Sequence, residues 1–226
     1  MTTFTGFPDD ALAFYDGLEA DNSRTYWTDH QDVFERAVRG PMLTLLAELE
    51  PEFGPAKVFR PYRDVRFSND KSPYKTQLGA VVHTGAGEPD GGGLYVALGA
   101  GGLFVGGGYY QLAKDQLERY RQAVADDTAG PTLARFADRL ANAGLGFSGE
   151  TLQRAPRGFD PGHPRIELLR RKGLAAGIDL GAPDWLGTHR CVEEVARVWR
   201  GLGPMLAWLG AQVGPSRLPP QQRGRR

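Results

Sequence analysis

The residues of this sequence best suited to chemistry lie between Lys57 and Gln77, in KVFRPYRDVRFSNDKSPYKTQ. Six cations there (Lys57, Arg60, Arg63, Arg66, Lys71 and Lys75) stand against two acids, Asp64 and Asp70. Phe59, Tyr62, Phe67 and Tyr74 are interleaved with them. Cations this dense repel one another, so the fold must bring counter-charges, water or an anionic ligand to them. A second basic stretch runs from Arg154 to Lys172, with Arg154, Arg157, Arg165, Arg170, Arg171 and Lys172 against Asp160 and Glu167. Guanidinium forks suit carboxylates and phosphates alike. The expected chemistry is therefore anion binding. The two stretches are read as walls of one cleft, in which Arg60, Arg63, Arg66, Lys71, Lys75, Arg154 and Arg157 converge on a small phosphorylated or carboxylated ligand. Asp64, between two arginines, stays ionised and orients them rather than taking a proton. Tyr62 or Tyr74 supplies an aromatic wall. A second reading is single-stranded nucleic-acid binding, with aromatics on bases and arginines on phosphates. A third is a scaffold whose cations are spent internally, on acids such as Asp29, Asp32 and Glu35.

Other chemistries find less support. The histidines at 30, 83, 163 and 189 show no metal-ligand spacing with one another or with the single Cys191, so neither metal nor cofactor is expected. His163 lies beside Arg157 and Asp160, but no partner spacing marks it as a base. There is no Gly-x-Ser-x-Gly, and Ser68 and Ser72 read as turn residues. Gly106-Gly107-Gly108 lacks the Lys-Ser or Lys-Thr of a phosphate loop, and reads more readily as a bulge or a close approach of backbone. No reaction is assigned.

The elements that must position these residues follow from periodicity. Extended geometry from Arg60 to Phe67 puts Arg60, Tyr62, Asp64, Arg66 and Ser68 on one face, and Pro61, Arg63, Val65 and Phe67 on the other. Pro61 makes this strand an edge or has it start just after the proline, and Asn69 to Pro73 is a turn. Upstream, Phe7, Ala11, Phe14, Tyr15 and Leu18 mark a helix over 8–20, with Asn22 or Ser23 capping the next. Gly40-Pro41 is expected to interrupt that second helix, and Pro51 with Gly54-Pro55 to end a third. Strands are predicted at 78–82, 94–98 and 103–105, with a glycine-rich loop at 85–93. Their short connections require antiparallel pairing. Helices follow at 115–126 and 131–143, then a short strand. Pro164 to Arg171 is read as a helix whose first amides form an anion site, 177–184 as extended chain or loop, and 189–209 as a helix broken near Gly203-Pro204. The fold class is α+β: an antiparallel sheet covered by N- and C-terminal helices in a single domain over 1–213, followed by a disordered basic tail over 214–226.

RPYRDVRFSNDKSPYKT at 60–76 resembles the signature of the bacterial and fungal family catalogued as domain of unknown function 2461. The resemblance continues in Gly102–Tyr109, Leu152–Phe159, His163-Pro164 and Leu168–Lys172. It implies a single-domain cytosolic protein and supplies no activity. Tyr26-Trp27 and Phe34-Glu35 depart from the family's usual Trp-Phe and Tyr-Glu, with aromatic bulk kept.

Composition sets outer bounds. Twenty-seven basic residues balance 27 acidic ones, which argues against a general nucleic-acid coat or a basic membrane-surface protein while leaving room for a local basic cleft. One cysteine excludes an internal disulfide and suits a reducing cytoplasm. No apolar run is long enough for a membrane span, and Asp9 and Asp10 do not suit a signal peptide. No membrane partner is expected. The oligomeric state is left open.

Overall fold

The computed structural model describes residues 3–66, 69–84 and 92–219. It is an α+β structure. Six strands form one antiparallel sheet in the order β1-β2-β3-β4-β6-β5, where β1 is Ala56–Val58, β2 Gln77–Thr84, β3 Gly92–Gly99, β4 Gly102–Tyr109, β5 Gly146–Ser148 and β6 Leu174–Gly181. The expected glycine-rich loop falls largely at 85–91, outside the described residues. Two compact units divide the chain. The first comprises Met1–Val82, Tyr95–Val105 and Asp179–Val198; the second comprises His83–Leu94, Gly106–Ile178 and Trp199–Arg226.

In the first unit, α1 (Asp9–Ala20) buries Ala11, Phe14, Tyr15 and Leu18, the face read from spacing, and carries Asp9 and Asp10 at its positive end. Helix α2 (Arg24–Asp29) is capped by Ser23, whose Oγ accepts from the Tyr26 amide at 3.1 Å. A short α3 (Gln31–Val33), a π-helical turn (Phe34–Arg39) and α4 (Gly40–Phe53) then run without the expected break at Gly40-Pro41. The π turn is the reason: Gly40 donates five residues back, to the Glu35 carbonyl, and this wider turn absorbs the proline. Pro51 is likewise carried, and the helix stops at Gly54, whose φ of +91° a side chain would disfavour. Strand β1 pairs with β2 through Ala56↔Val82, Lys57↔Val81 and Val58↔Ala80.

In the second unit, α5 (Lys114–Ala125), α6 (Ala129–Asn142) and the short α7 (Ile166–Leu169) accompany β5, which pairs with β6 from Gly146↔Gly177 to Ser148↔Ala175. Close backbone approach explains Gly107 and Gly108 of the glycine triplet. Gly108 has φ +135°, and a Cβ there would lie 2.2 Å from the Leu174 carbonyl oxygen. Helix α8 (Arg190–Gln212) passes through Gly203-Pro204 unbroken. Leu202, Met205, Leu206 and Leu209 are all buried. Each such side chain contributes about 1.5–3 kcal/mol, which together outweighs the ~3 kcal/mol cost of one interior proline.

The start of the expected disordered tail is tied down instead. Gln116 donates to the Gly214 carbonyl, Arg119 to those of Val213 and Pro215, and Asp115 accepts from the Ser216 hydroxyl and the Arg217 amide. An ionised carboxylate in the first turn of α5 offsets the ordering of this segment. Among the described residues, no helix is long and apolar enough to cross a membrane.

Candidate functional site

The basic stretch of the first unit is a narrow ribbon rather than a sheet strand. Tyr62 and Tyr74 form one isolated antiparallel bridge, flanked by Arg63 N–H to Pro73 O (2.9 Å) and Lys75 N–H to Pro61 O (2.8 Å). The sheet strand lies earlier, at β1, because Pro61 has no amide hydrogen to continue the ladder. Exposure still alternates as extended chain requires. Arg60, Tyr62, Asp64 and Arg66 are exposed, while Pro61, Arg63 and Val65 are half-buried. Phe67 and Ser68 lie outside the described residues.

Since the flanking residues make the ladder bonds, Tyr62 and Tyr74 are a non-hydrogen-bonded pair, the kind whose side chains come closest. Their ring centroids are 5.5 Å apart. The polar backbone groups of Tyr74 then point away from Tyr62, and the Asn22 side chain takes both. Tyr74 N–H donates to Asn22 Oδ1 and Asn22 Nδ2 donates to Tyr74 O, each at 3.1 Å. Trp27, from α2, stacks on the Tyr74 ring at 4.4 Å and 8°, and lies 6.0 Å from the Tyr62 ring. Tyr74 is therefore buried beneath the platform, whereas Tyr62 is 51 % exposed.

The cations divide into two groups. Arg66 grips Asp64 with a fork, Nε to Oδ1 at 2.9 Å and Nη2 to Oδ2 at 2.6 Å. This fork and the Arg66 amide hold the Asp64 carboxyl at about 2. Arg63 pairs with Asp70, which also accepts from the Ser72 hydroxyl and amide, and Lys71 donates to the Val65 carbonyl. These acids belong to the stretch itself. Of the acids expected from the N-terminal helices, Glu35 pairs with Arg39. The other group has no ion pair or hydrogen bond from its charged head among the described residues: Arg24, Lys57, Arg60 and Lys75. Lys75 Nζ sits 5.3 Å over the Phe59 ring. Burial, and then the nearby Arg60 charge, push its pKa down. Arg24 lies close enough to act electrostatically on Tyr74. Lys57 is exposed on β1.

Arg154 and Arg157 belong to the second unit, where both are exposed and without an ion pair among the described residues. The rest of the second basic stretch is matched internally. Arg165 donates to the Val124, Ala125 and Asp126 carbonyls at 2.6, 3.0 and 3.2 Å, capping the C-terminal end of α5. Arg170 pairs with Glu167, Lys172 with Glu150, and Arg171 lies 4.9 Å over the Phe147 ring. The expected anion site at the start of the 164–171 helix is absent from this geometry. Helix α7 has four residues, and the amides of Ile166, Leu168 and Leu169 already donate to the His163 and Arg165 carbonyls. His163 Nδ1 accepts from the Arg165 amide at 3.0 Å, a turn-closing role. A groove of about 580 Å³ in this unit is lined by residues including Arg119, Asp126 and Trp208, but those polar groups are spent. Arg119 holds the Val213 and Pro215 carbonyls, Asp126 accepts from the Thr128 and Ala129 amides, and Trp208 donates to Ala129 O.

Asn22, Arg24 and Trp27 complete the platform and were not among the expected site residues. They lie roughly fifty residues away along the chain, and no local pattern links them to Tyr74. No curated protein matches this chain. A family model described as conserved hypothetical protein (DUF2461) matches residues 10–208, which include the whole basic ribbon and the helix beneath it. The chain belongs to that family.

Proposed function

We propose that Arg60, Lys75 and Arg24, arranged around the Tyr62–Tyr74 pair, bind an anionic ligand bearing a phosphate or carboxylate. The observation that carries this reading is the division of the cations. Arg63, Arg66 and Lys71 are matched by groups of their own loop, while among the described residues Arg60 and Lys75 on the ribbon and Arg24 on α2 have no ion pair or hydrogen bond from their charged heads, and Asn22 and Trp27 brace the ribbon. Like charges held close by a braced backbone remain repulsive until an anion enters, so binding relieves a cost already present in the free protein. Asp64 does not oppose the ligand, because its charge is matched by Arg66. Arg63, Arg66 and Lys71 serve the shape of the loop.

Titration calorimetry with pyrophosphate and citrate at low ionic strength tests the reading. A charged hydrogen bond contributes about 1.5–3 kcal/mol, so Arg60→Ala should weaken binding by about ten-fold or more. Arg60→Ala with Lys75→Ala should abolish it. Absence of binding by the wild type, or binding indifferent to both substitutions, would refute the proposal.

A further inference from the structure

We infer that the ligand of this surface carries a planar aromatic base beside its phosphate, so that the occupant is a nucleotide unit whose base stacks on Tyr62 and whose phosphate meets Arg60. The inference rests on the anion-binding reading above and deepens it.

A cation cluster alone accounts for a phosphate or a carboxylate. It does not account for Tyr62, which among the described residues is one of three large hydrophobic side chains standing exposed, with Leu43 and Tyr110. Unlike a lone exposed ring, Tyr62 is held from behind. Its backbone is fixed by the bridge to Tyr74, and its ring lies against two others at 5.5 and 6.0 Å. Those two are themselves stacked nearly parallel, and Asn22 anchors the lower one through its backbone. A ring so supported loses little freedom when something covers its outer face. Arg60 lies two residues before Tyr62 on the same exposed row. In extended chain this is a separation of about 6.5 Å, of the order between a base and its own phosphate. Asp64 follows at the same interval on the other side of the ring, but the Arg66 fork matches its charge. A carboxylated aliphatic ligand would use the arginine and leave the ring uncovered. A sugar would need hydrogen-bonding amides and uncommitted carboxylates at the rim, where Asp64 is already gripped by Arg66 and its neighbours are cations. A flat base with an attached phosphate uses both features, since every base has a face that stacks on an aromatic ring.

The chemistry is shared by a free nucleotide and by one unit of a single strand, and the experiment separates them. Calorimetry at low salt would compare inorganic phosphate, ribose phosphate, adenosine and uridine monophosphates and a short single-stranded oligonucleotide, using the wild type, Tyr62→Ala, Tyr62→Phe and Arg60→Ala. Thermal melts would establish that each variant is folded. The expected result is that mononucleotides bind about five-fold or more tighter than ribose phosphate. Tyr62→Ala should remove that advantage and Tyr62→Phe keep it. An oligonucleotide affinity that exceeds the mononucleotide's and falls steeply with salt assigns the site to a strand. Equal affinities assign it to a free nucleotide. If ribose phosphate and the nucleotides bind alike and only Arg60→Ala weakens them, the inference falls and the anion-binding reading stands. If no phosphate-bearing probe binds, the inference falls, and the anion-binding reading falls with it when citrate also fails to bind.

Discussion

Asn22→Ala is the most informative single change, because it removes one side chain and strands two backbone groups. Among the described residues, Asn22 is the sole partner of the Tyr74 N–H and C=O, with both bonds at 3.1 Å. Nothing in the ladder can replace them, since the bridge bonds are made by Arg63 and Lys75. A hydrogen bond contributes about 0.5–1.5 kcal/mol net, so the pair contributes about 1–3 kcal/mol. Asn22 is half-buried, so water recovers part of the loss, and about 1–2 kcal/mol is expected. That corresponds to amide exchange at Tyr74 about five- to thirty-fold faster. Hydrogen exchange followed by NMR reads this residue directly. Asn22→Asp should be at least as harmful: it keeps the acceptor for Tyr74 N–H but turns a second carboxylate oxygen toward the Tyr74 carbonyl. Anion affinity should fall in both variants, although neither removes a cation. Unchanged Tyr74 exchange in both variants would refute the bracing argument.

Four further outcomes are expected. Gly108→Ala should prevent stable folding, because its Cβ would lie 2.2 Å from a β6 carbonyl oxygen at a φ of +135°; Gly158→Ala, at φ +88° with nothing within 4 Å, should cost only about 1–2 kcal/mol in chemical denaturation. Arg165→Ala should lower stability by about 1.5–3 kcal/mol through loss of the α5 C-terminal cap, with Arg165→Lys recovering only part, because an ammonium cannot reproduce the fork. Glu48 accepts from the Phe4 amide (2.6 Å) and His189 (2.7 Å), which hold its carboxyl below the usual range. Its folded value lies below its unfolded one, so this contribution is complete above about pH 5 and fades as pH falls through the lowered value; thermal melts of Glu48→Gln and wild type should therefore differ at neutral pH and converge in acid. Asp115 is ionised although burial opposes it, because Arg217, Ser216 and Arg119 donate to it. Asp115→Ala should release the 214–219 segment to limited proteolysis with little change in the exchange of the Tyr74 amide.

The α+β class, the α1 face, the antiparallel pairing and the exposed row Arg60–Tyr62–Asp64–Arg66 were legible in the sequence, because each depends on a local period of 3.6 or two or on a short connection. Proline positions misled at Pro41 and Pro204. A local rule states the cost of a proline but not the packing or the π turn that offsets it. Charge counting was similarly blind. Six cations against two acids at 57–77 is a fact of composition. Which of them are matched depends on where Asp64 and Asp70 point, and on a half-buried lysine over Phe59.

Composition and alternation along the chain establish a basic, aromatic segment and which of its side chains share a face. The tertiary structure alone decided that Tyr74 would be support and Tyr62 surface. That choice is made by Asn22 and Trp27, whose contacts with the ribbon span roughly fifty residues and leave no periodic trace in the chain.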